Sequence, residues 1–188
     1  MLIRIASFVL ETFFFVLIAS ALMRCWMNFC RVNMQAQPGN FVMAVTDWLV
    51  KPLRRALPKA WAQAKVDVAS LLAAALLALA YGLVWGAVFG VLLGGMSLAA
   101  FSPAFLLSLL VLALKMLLRV ALQSMMILVF GLAILSWVQP GSPAYALLAR
   151  LTEPWLAPLR RIIPSIGGVD LSAIALILAL QIALMVLV

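Results

Sequence analysis

The chain has 188 residues, of which 68% are hydrophobic and 10% are charged, and its mean hydropathy is +1.26. This composition leaves too little polar surface to cover a water-soluble globule, so it excludes the ordinary soluble classes and predicts one small membrane domain. The formal charge of +8 would favour nucleic-acid binding in a soluble chain. In a membrane protein the cations instead indicate orientation, and we expect no direct nucleic-acid partner.

The first apolar run extends from Ile5 to Met23 and is broken only by Glu11. It is long enough for one helical crossing, since a span needs roughly 20 residues. The span is predicted to end near Arg24. We expect the run to be retained rather than cleaved as a signal peptide, because cleavage would place the cations between Arg24 and Lys65 outside the cell.

The next segment, VKPLRRALP at residues 50–58, is basic and contains two prolines. Apolar residues recur at helical intervals up to and through it, at Phe41, Val45, Trp48, Leu49 and Leu53. The cations that we expect to face anionic lipid headgroups or a protein partner are Lys51, Arg54 and Arg55. The pattern predicts two short amphipathic helices at the membrane surface, which meet at a bend at Pro52, the second being stopped by Pro58. A basic loop that only fixes the topology is an open alternative.

A second apolar run extends from Val66 to Gly95, with one charge, Asp67, at its start. Small residues occupy every fourth position of a ladder made of Ser70, Ala74, Ala78, Gly82, Gly86, Gly90 and Gly94. Such a ladder lets another helix backbone approach closely, which is how helices associate in lipid. Three interpretations stay open: packing inside the chain, which we favour, a seam with a second copy, and, as the weakest, the close approach of a pore or substrate.

An uncharged turn leads to a third apolar stretch, Phe105 to Val138, which contains Lys115 and Arg119. We expect one crossing here. The stretch is longer than a crossing requires, so its first part, residues 103–118, could form a separate surface or re-entrant helix. This alternative also stays open.

The basic phrase recurs as LAPLRRIIP at residues 156–164. Apolar residues again follow helical intervals, at Leu148, Leu151, Trp155, Leu156 and Leu159. We expect two further short surface helices, which meet at a bend at Pro158, with Arg160 and Arg161 facing headgroups or a partner. The last apolar run, residues 171–188, is predicted to be the fourth span.

Both halves of the chain follow one order: an apolar span, a Pro-Gly signal, a basic segment, and an Asp that opens the next span. The sequence therefore predicts an all-α membrane protein of four transmembrane helices, built as two tandem repeats at residues 1–98 and 99–188. The basic segments follow spans one and three, so both lie in the cytoplasm if both termini are periplasmic. The repeats are then parallel, related by a pseudo-two-fold axis along the membrane normal.

Three ionisable residues fall inside predicted spans, where charges are costly and mark structural or functional contacts. Matching the halves places Glu11 opposite Lys115 and Arg119, so we predict an intramembrane acid–base pair between the repeats. Snorkelling of the two cations toward the membrane surface is an open alternative. A proton or ion relay is a weaker one, since one acid and no histidine make a poor relay.

The residues needed for common catalytic chemistry are largely missing from the sequence. The chain has no His and 5 acidic residues, so neither a His-based triad nor a usual zinc set can form. Asp67 and Asp170 are explained as N-caps of the spans that follow them, and Cys25 and Cys30 as reduced thiols. We therefore expect neither an enzyme nor a cofactor or metal site.

Three stretches together resemble the repeats of the YggT (also YlmG) family of small integral membrane proteins: SWVQPGSP at 136–143, LTEPWLAPLRRIIPSIGGVDLS at 151–172, and VTDWLVKPLRRALP at 45–58. The first copy departs from the pattern, with Thr-Asp-Trp in place of Thr-Glu-Pro and no Gly-Gly. The resemblance covers nearly the whole chain and implies a bacterial inner-membrane or plastid-membrane protein of two repeats. It also implies a context in osmotic or ion homeostasis, division-septum organisation, or nucleoid or cytochrome assembly in plastids.

Two classes of function follow. The first, which we prefer, is a non-enzymatic scaffold of the bacterial inner membrane. Its basic helices would bind anionic lipid, a membrane or division protein, or a second copy of the chain. The second is a small ion-transport or channel-like component with a path near Glu11 and Lys115. A water-accessible cavity at these residues would favour transport, and a dry interface would favour the scaffold.

Overall fold

The computed structural model describes residues 2–58, 66–92, 103–163 and 170–187. Within these ranges the side chains are described except at residues 2–3 and 89–92. The described residues form six helices: α1 (Leu2–Phe29), α2 (Gly39–Ala56), α3 (Val68–Leu92), α4 (Pro103–Val138), α5 (Pro143–Arg160) and α6 (Leu171–Leu187). The all-α fold class is therefore confirmed. The uncharged turn predicted before the third span lies outside the described residues, as does Gly94 of the ladder.

Three helices are long and apolar enough to cross a membrane: Arg4–Phe29 in α1, Val68–Val88 in α3 and Pro103–Val138 in α4. No more than 33% of the apolar window of any of them is buried inside the protein, as expected for helices that face lipid. α6 is also apolar, but its 17 residues measure only about 25 Å. The described residues thus contain three candidate spans, and a fourth span in α6 stays a prediction.

α4 is one uninterrupted helix of 36 residues, about 54 Å long. The alternative in which residues 103–118 form a separate surface or re-entrant helix is therefore wrong. The physical reason is local, because no Gly or Pro occurs between Pro103 and Gly131 and the intervening sequence is rich in the helix formers Leu, Ala and Met. Buried residues from Ala113 to Leu132 anchor both parts of the helix.

The end of α1 is a tight turn in which Arg31 adopts a left-handed conformation, with φ at 53°. The Val32 N–H donates to the Met27 carbonyl at 2.9 Å, and the Arg31 N–H donates to the Asn28 carbonyl at 3.1 Å. This pair of bonds is the Schellman pattern that closes many helices, with Arg at the position where Gly is usual. The turn carries the chain from α1 toward α2.

The prolines inside the basic segments do not divide them. α2 continues across Pro52, and α5 continues across Pro154 and Pro158, so the predicted pair of short helices in each segment is wrong. Fully buried side chains beside the prolines, Val50 in α2 and Leu156 in α5, hold each helix against the protein. Tertiary packing therefore outweighs the hydrogen bond that each proline removes.

α2 packs on the protein through a narrow stripe. Val42, Thr46 and Val50 face the protein, whereas Phe41 and Trp48 of the predicted apolar face are 58% and 61% exposed. The buried stripe includes the polar Thr46, whose hydroxyl donates to the Val42 carbonyl at 2.7 Å. The exposed aromatic side chains stay available for contact with the membrane surface.

The helices pack in the same order in each half. α1 packs on α3 and α4 packs on α6, while α2 lies against α1 and α3, and α5 lies against α4 and α6. The halves meet through α4, which contacts both α1 and α3. Among the described residues no contact of similar extent joins α6 to α1, so the two halves are not packed symmetrically.

The ladder of small residues lies inside the protein where the structure describes it. Ser70, Ala74 and Ala78 are almost completely buried. A Cβ added at Gly82 would lie 2.7 Å from Leu109 Cδ1, whereas one at Gly86 would lie 3.9 Å from the nearest atom of Phe105. The ladder therefore serves the packing of α3 within the chain over these positions, as in the interpretation that we favoured.

Candidate functional site

Each basic segment is tied to the start of the following helix by an ion pair, which we call the elbow latch. In the first half Arg54 Nη2 lies 2.5 Å from Asp67 Oδ2, and the Ser70 hydroxyl donates to the same oxygen at 2.9 Å. Asp67 immediately precedes α3 and its side chain is only 6% exposed. The carboxylate therefore caps α3 and holds the end of α2 at the same time.

The second half has the same elbow latch, built from Arg160, Asp170 and Ser172. Arg160 donates to Asp170 Oδ2 from Nε at 2.9 Å and from Nη2 at 2.7 Å. Its Nη1 also donates to Glu153 Oε2 at 3.2 Å. The Ser172 hydroxyl donates to Asp170 Oδ1. Burial raises the pKa of Asp170, but the hydrogen bonds from Ser172 and Arg160 outweigh it and hold the pKa below its usual value.

The elbow latch involves only the first of the two arginines in each Pro-Leu-Arg-Arg motif. Arg54 and Arg160 are each paired with an aspartate although their side chains are 47% and 38% exposed, whereas Arg55 and Arg161 are exposed and form no ion pair in the part of the chain that the structure describes. Lys51 is also exposed, with its Nζ 2.7 Å from Asp47 Oδ2. Of the five predicted headgroup-facing cations, Arg55 and Arg161 thus carry charge that no described acid neutralises.

A buried ion pair that the sequence reasoning missed joins α1 to α2. Arg24 Nη1 donates to the Thr46 hydroxyl and to Asp47 Oδ1, both at 2.8 Å, and the Arg24 side chain is only 7% exposed. Hydrogen bonding from Lys51 is the main cause that lowers the pKa of Asp47, with Arg24 adding to it against the opposing effect of burial. The feature of the sequence that could have indicated this contact is Thr46, a polar residue on the helix face that also carries Val42 and Val50.

The predicted intramembrane charges meet at one point between the halves. Arg119 Nη1 of α4 lies 2.7 Å from Glu11 Oε1 of α1, with the two side chains 39% and 37% exposed. Lys115 does not join this pair; it is exposed and lines a cavity of about 170 Å³ together with Tyr81 and Arg119. The structure therefore brings Glu11 to Arg119 and leaves Lys115 one helical turn away.

A second cavity, of about 420 Å³, opens on the other side of the ion pair. Its polar lining comes from Glu11, Thr12, Arg119 and Gln123. The Thr12 hydroxyl already donates to the Phe8 carbonyl at 2.7 Å, so the ion pair and the Gln123 amide are the groups that a polar occupant would meet. Arg119 lines both cavities, as does Met116.

No metal-binding cluster occurs among the residues that the structure describes. Cys25 and Cys30 are unbridged thiols. Burial raises the pKa of the Cys30 thiol, which keeps it protonated and unreactive.

The apolar spanning helices, the ion pair between them and the basic helices beside them define a small helical membrane protein. The chain belongs to the CCB3/YggT family, whose model matches residues 1–88 and 111–188. The resemblance drawn from the sequence motifs is thereby confirmed.

Relatives of this chain occur in several bacteria. It is 34% identical over 178 residues to a Vibrio alginolyticus protein described as an uncharacterized protein in the proC 3′ region, covering 94% of this chain and 90% of that protein. It is 31% identical over 177 residues to the uncharacterized protein YggT of Escherichia coli strain K12, covering 94% and 85%. A Pseudomonas aeruginosa protein is 34% identical over 183 residues, covering 94% and 84%. No solved structure matches the chain.

Proposed function

We propose that the protein is a non-enzymatic scaffold of the bacterial inner membrane, whose helices α2 and α5 bind anionic lipid headgroups. The observation that carries this proposal is the elbow latch, which occurs once in each half. The elbow latch pairs Arg54 and Arg160 with aspartates. Because successive side chains are about 100° apart around a helix, the following residues, Arg55 and Arg161, point away from those aspartates. Arg55 and Arg161 are then free to bind phosphate groups.

The surroundings of the two arginines fit a membrane surface. Phe41 and Trp48 on α2 are exposed, and Trp155 on α5 is 45% exposed. Aromatic side chains of this kind anchor proteins at the level of the headgroups, where basic side chains meet anionic lipid. Each surface helix therefore presents an exposed aromatic side chain and an exposed arginine, the two kinds of side chain that contact a membrane surface.

The proposed topology has four spans in two parallel repeats, with both elbow latches on the cytoplasmic side and both termini in the periplasm. It is supported by the shared order of helices in the two halves and by the two stretches matched by the family model, which fall one in each predicted repeat. The positive-inside tendency places the basic connections in the cytoplasm. α6 would be the short fourth span.

The test measures the preference of the reconstituted protein for phosphatidylglycerol over phosphatidylcholine, using spin-labelled lipids. We expect the double variant Arg55→Gln, Arg161→Gln to lose roughly five-fold in this preference for each arginine, since a cation near the surface contributes about 1 kcal/mol. Arg4→Gln is the matched control, because Arg4 is exposed at the opposite end of α1. An unchanged preference in the double variant would overturn the proposal.

A second candidate function, ion transport, is favoured by one observation. The cavity of about 420 Å³ reaches Glu11 and Arg119, and the smaller cavity reaches Lys115, so polar groups inside the spans are not fully enclosed by protein. Intramembrane ionisable groups beside a cavity are typical of ion pathways. Flux of potassium or protons in proteoliposomes, compared between the wild type and Glu11→Gln, tests this function, and a wild type without flux removes it.

A further inference from the structure

A third cavity, of about 230 Å³, lies where the two halves meet. Four helices line it, and its walls are mainly apolar: Leu22, Trp26, Leu71, Met125, Leu128 and Trp155. The indole rings of Trp26 and Trp155 lie 5.8 Å apart between their centroids. The Trp26 Nε1–H donates to the Leu151 carbonyl at 2.9 Å, so this wall is fixed by a bond between the halves.

The cavity contains one polar group without a partner. Ser124 Oγ is buried and has no hydrogen-bond partner among the residues that the structure describes. Other hydroxyls on the spanning helices donate back to their own helix, as Ser20 does to the Val16 carbonyl and Ser136 to the Ala133 carbonyl, both at 2.7 Å. A buried hydroxyl left without an acceptor is destabilising, so an acceptor from outside the chain is expected at this point.

The position of the cavity indicates where that acceptor comes from. Leu71 and Trp155, on its walls, are 42% and 45% exposed, so the cavity opens on the surface that faces lipid. Leu71 lies one helical turn into α3 from Asp67, whose elbow latch marks the polar surface. Lipid ester carbonyls lie just below the phosphates, at the depth where Trp side chains concentrate.

We propose that this cavity binds one acyl chain of a membrane phospholipid, whose first methylenes fill the apolar space. The Ser124 hydroxyl, which is buried beside the cavity, turns about its Cα–Cβ bond to donate to the ester carbonyl. The volume is sufficient, because a dry apolar cavity of about 150 Å³ holds a benzene molecule. The site does not depend on headgroup charge, so it is independent of the contacts of Arg55 and Arg161.

The test uses the whole protein in vesicles of phosphatidylethanolamine and phosphatidylglycerol, with a small fraction of phosphatidylcholine carrying a diazirine in its acyl chain. After illumination, peptide mass spectrometry locates the adducts. We expect them to concentrate on Met125 and Leu128, several-fold above Ile127 and Ile134, which are 58% and 45% exposed on the same helix. Equal labelling of all four positions would overturn the proposal.

Two variants sharpen the result. Ser124→Phe fills the cavity and should reduce labelling of Leu128 several-fold, whereas Ser136→Phe, the same change elsewhere on α4, should not. Ser124→Ala keeps the fold and removes only the donor, with an expected loss of roughly two- to ten-fold in labelling. Unchanged labelling in both Ser124 variants would also overturn the proposal.

The outcome is separable from that of the proposed function. If the double variant Arg55→Gln, Arg161→Gln keeps the labelling of Leu128 but loses its preference for phosphatidylglycerol, both proposals stand. If it keeps the labelling and also the preference, the headgroup proposal fails and the acyl-chain site remains.

Discussion

Arg119 Nη1 of α4 lies 2.7 Å from Glu11 Oε1 of α1, and this ion pair ties the second half of the chain to the first. Arg119 stands near the middle of the longest helix, where an isolated charge in lipid is expensive. The pair therefore neutralises two groups that neither helix could carry alone.

Replacing Glu11 with Gln should leave Arg119 without a counter-charge. We expect Glu11→Gln to lower the free energy of unfolding by about 1 to 3 kcal/mol, because it leaves the Arg119 charge without its partner inside a predicted span. Thermal unfolding in detergent measures the effect. Lys115→Gln is the control, since Lys115 lies outside the pair and its loss should change the melting temperature little.

The two elbow latches should differ in strength because their aspartates differ in burial. The Asp67 side chain is 6% exposed and that of Asp170 is 33% exposed. We expect Asp67→Asn to cost about 2 to 3 kcal/mol and Asp170→Asn about 1 kcal/mol or less. Chemical or thermal unfolding of the two variants side by side checks this order, which equal losses would contradict.

The stability of the protein should fall in acid through Asp47. Its pKa is lowered in the folded state, first by the hydrogen bond from Lys51, so its contribution is complete above its ordinary value of about 3.9. That contribution is lost as the pH falls through the lowered value. Melting temperatures should therefore be insensitive to Asp47 titration between pH 6 and 8, and Asp47→Asn should flatten the decline of the melting temperature below about pH 4.

The left-handed Arg31 at the end of α1 predicts a stabilising substitution. Arg31→Gly should raise the free energy of unfolding by about 0.5 to 1 kcal/mol, because the relief of backbone strain exceeds the added freedom of the unfolded chain. The same change at Arg150, exposed within α5, should instead cost about 1 kcal/mol. A loss of stability in Arg31→Gly would indicate that its side chain makes a contact worth more than the strain.

The glycines of α3 give a matched pair of packing variants. Gly82→Ala forces Leu109 to move, because the new Cβ would lie 2.7 Å from Leu109 Cδ1, and we expect a loss of about 1 kcal/mol. Gly86→Ala meets nothing closer than 3.9 Å and should be neutral or stabilising by up to about 1 kcal/mol through helix propensity. Circular dichroism during thermal unfolding distinguishes the two.

Much of the helical layout could be predicted from the sequence. Long apolar runs fix the spans because few polar side chains are tolerated in lipid, and Pro58 ends α2 just after Ala56, since the residue before a proline disfavours helical geometry. The positions of Glu11 and Arg119 followed from aligning the two halves. These features depend on local composition or on the similar order of motifs in the two halves of the sequence.

The elbow latches and the Arg24 pair could not be predicted in the same way. Hydropathy treats Arg54 and Arg55 alike, and only the path of the chain to Asp67 decides which of them pairs with an aspartate. Arg24 was taken as the end of a span, whereas it is buried because Thr46 and Asp47 of α2 fold back onto it. Such contacts join residues that are distant in sequence, and composition does not report them.

α4 is longer than the hydrocarbon layer of the bilayer is thick. Its 36 residues are about 54 Å of apolar helix, against a hydrocarbon thickness of about 30 Å. A tilt of about 40°, the upper end of the usual range, still leaves an apolar length of about 41 Å. The excess is hydrophobic mismatch, so the lipid around α4 must thicken locally, and membrane regions of greater thickness will hold this protein at lower energetic cost than thin ones.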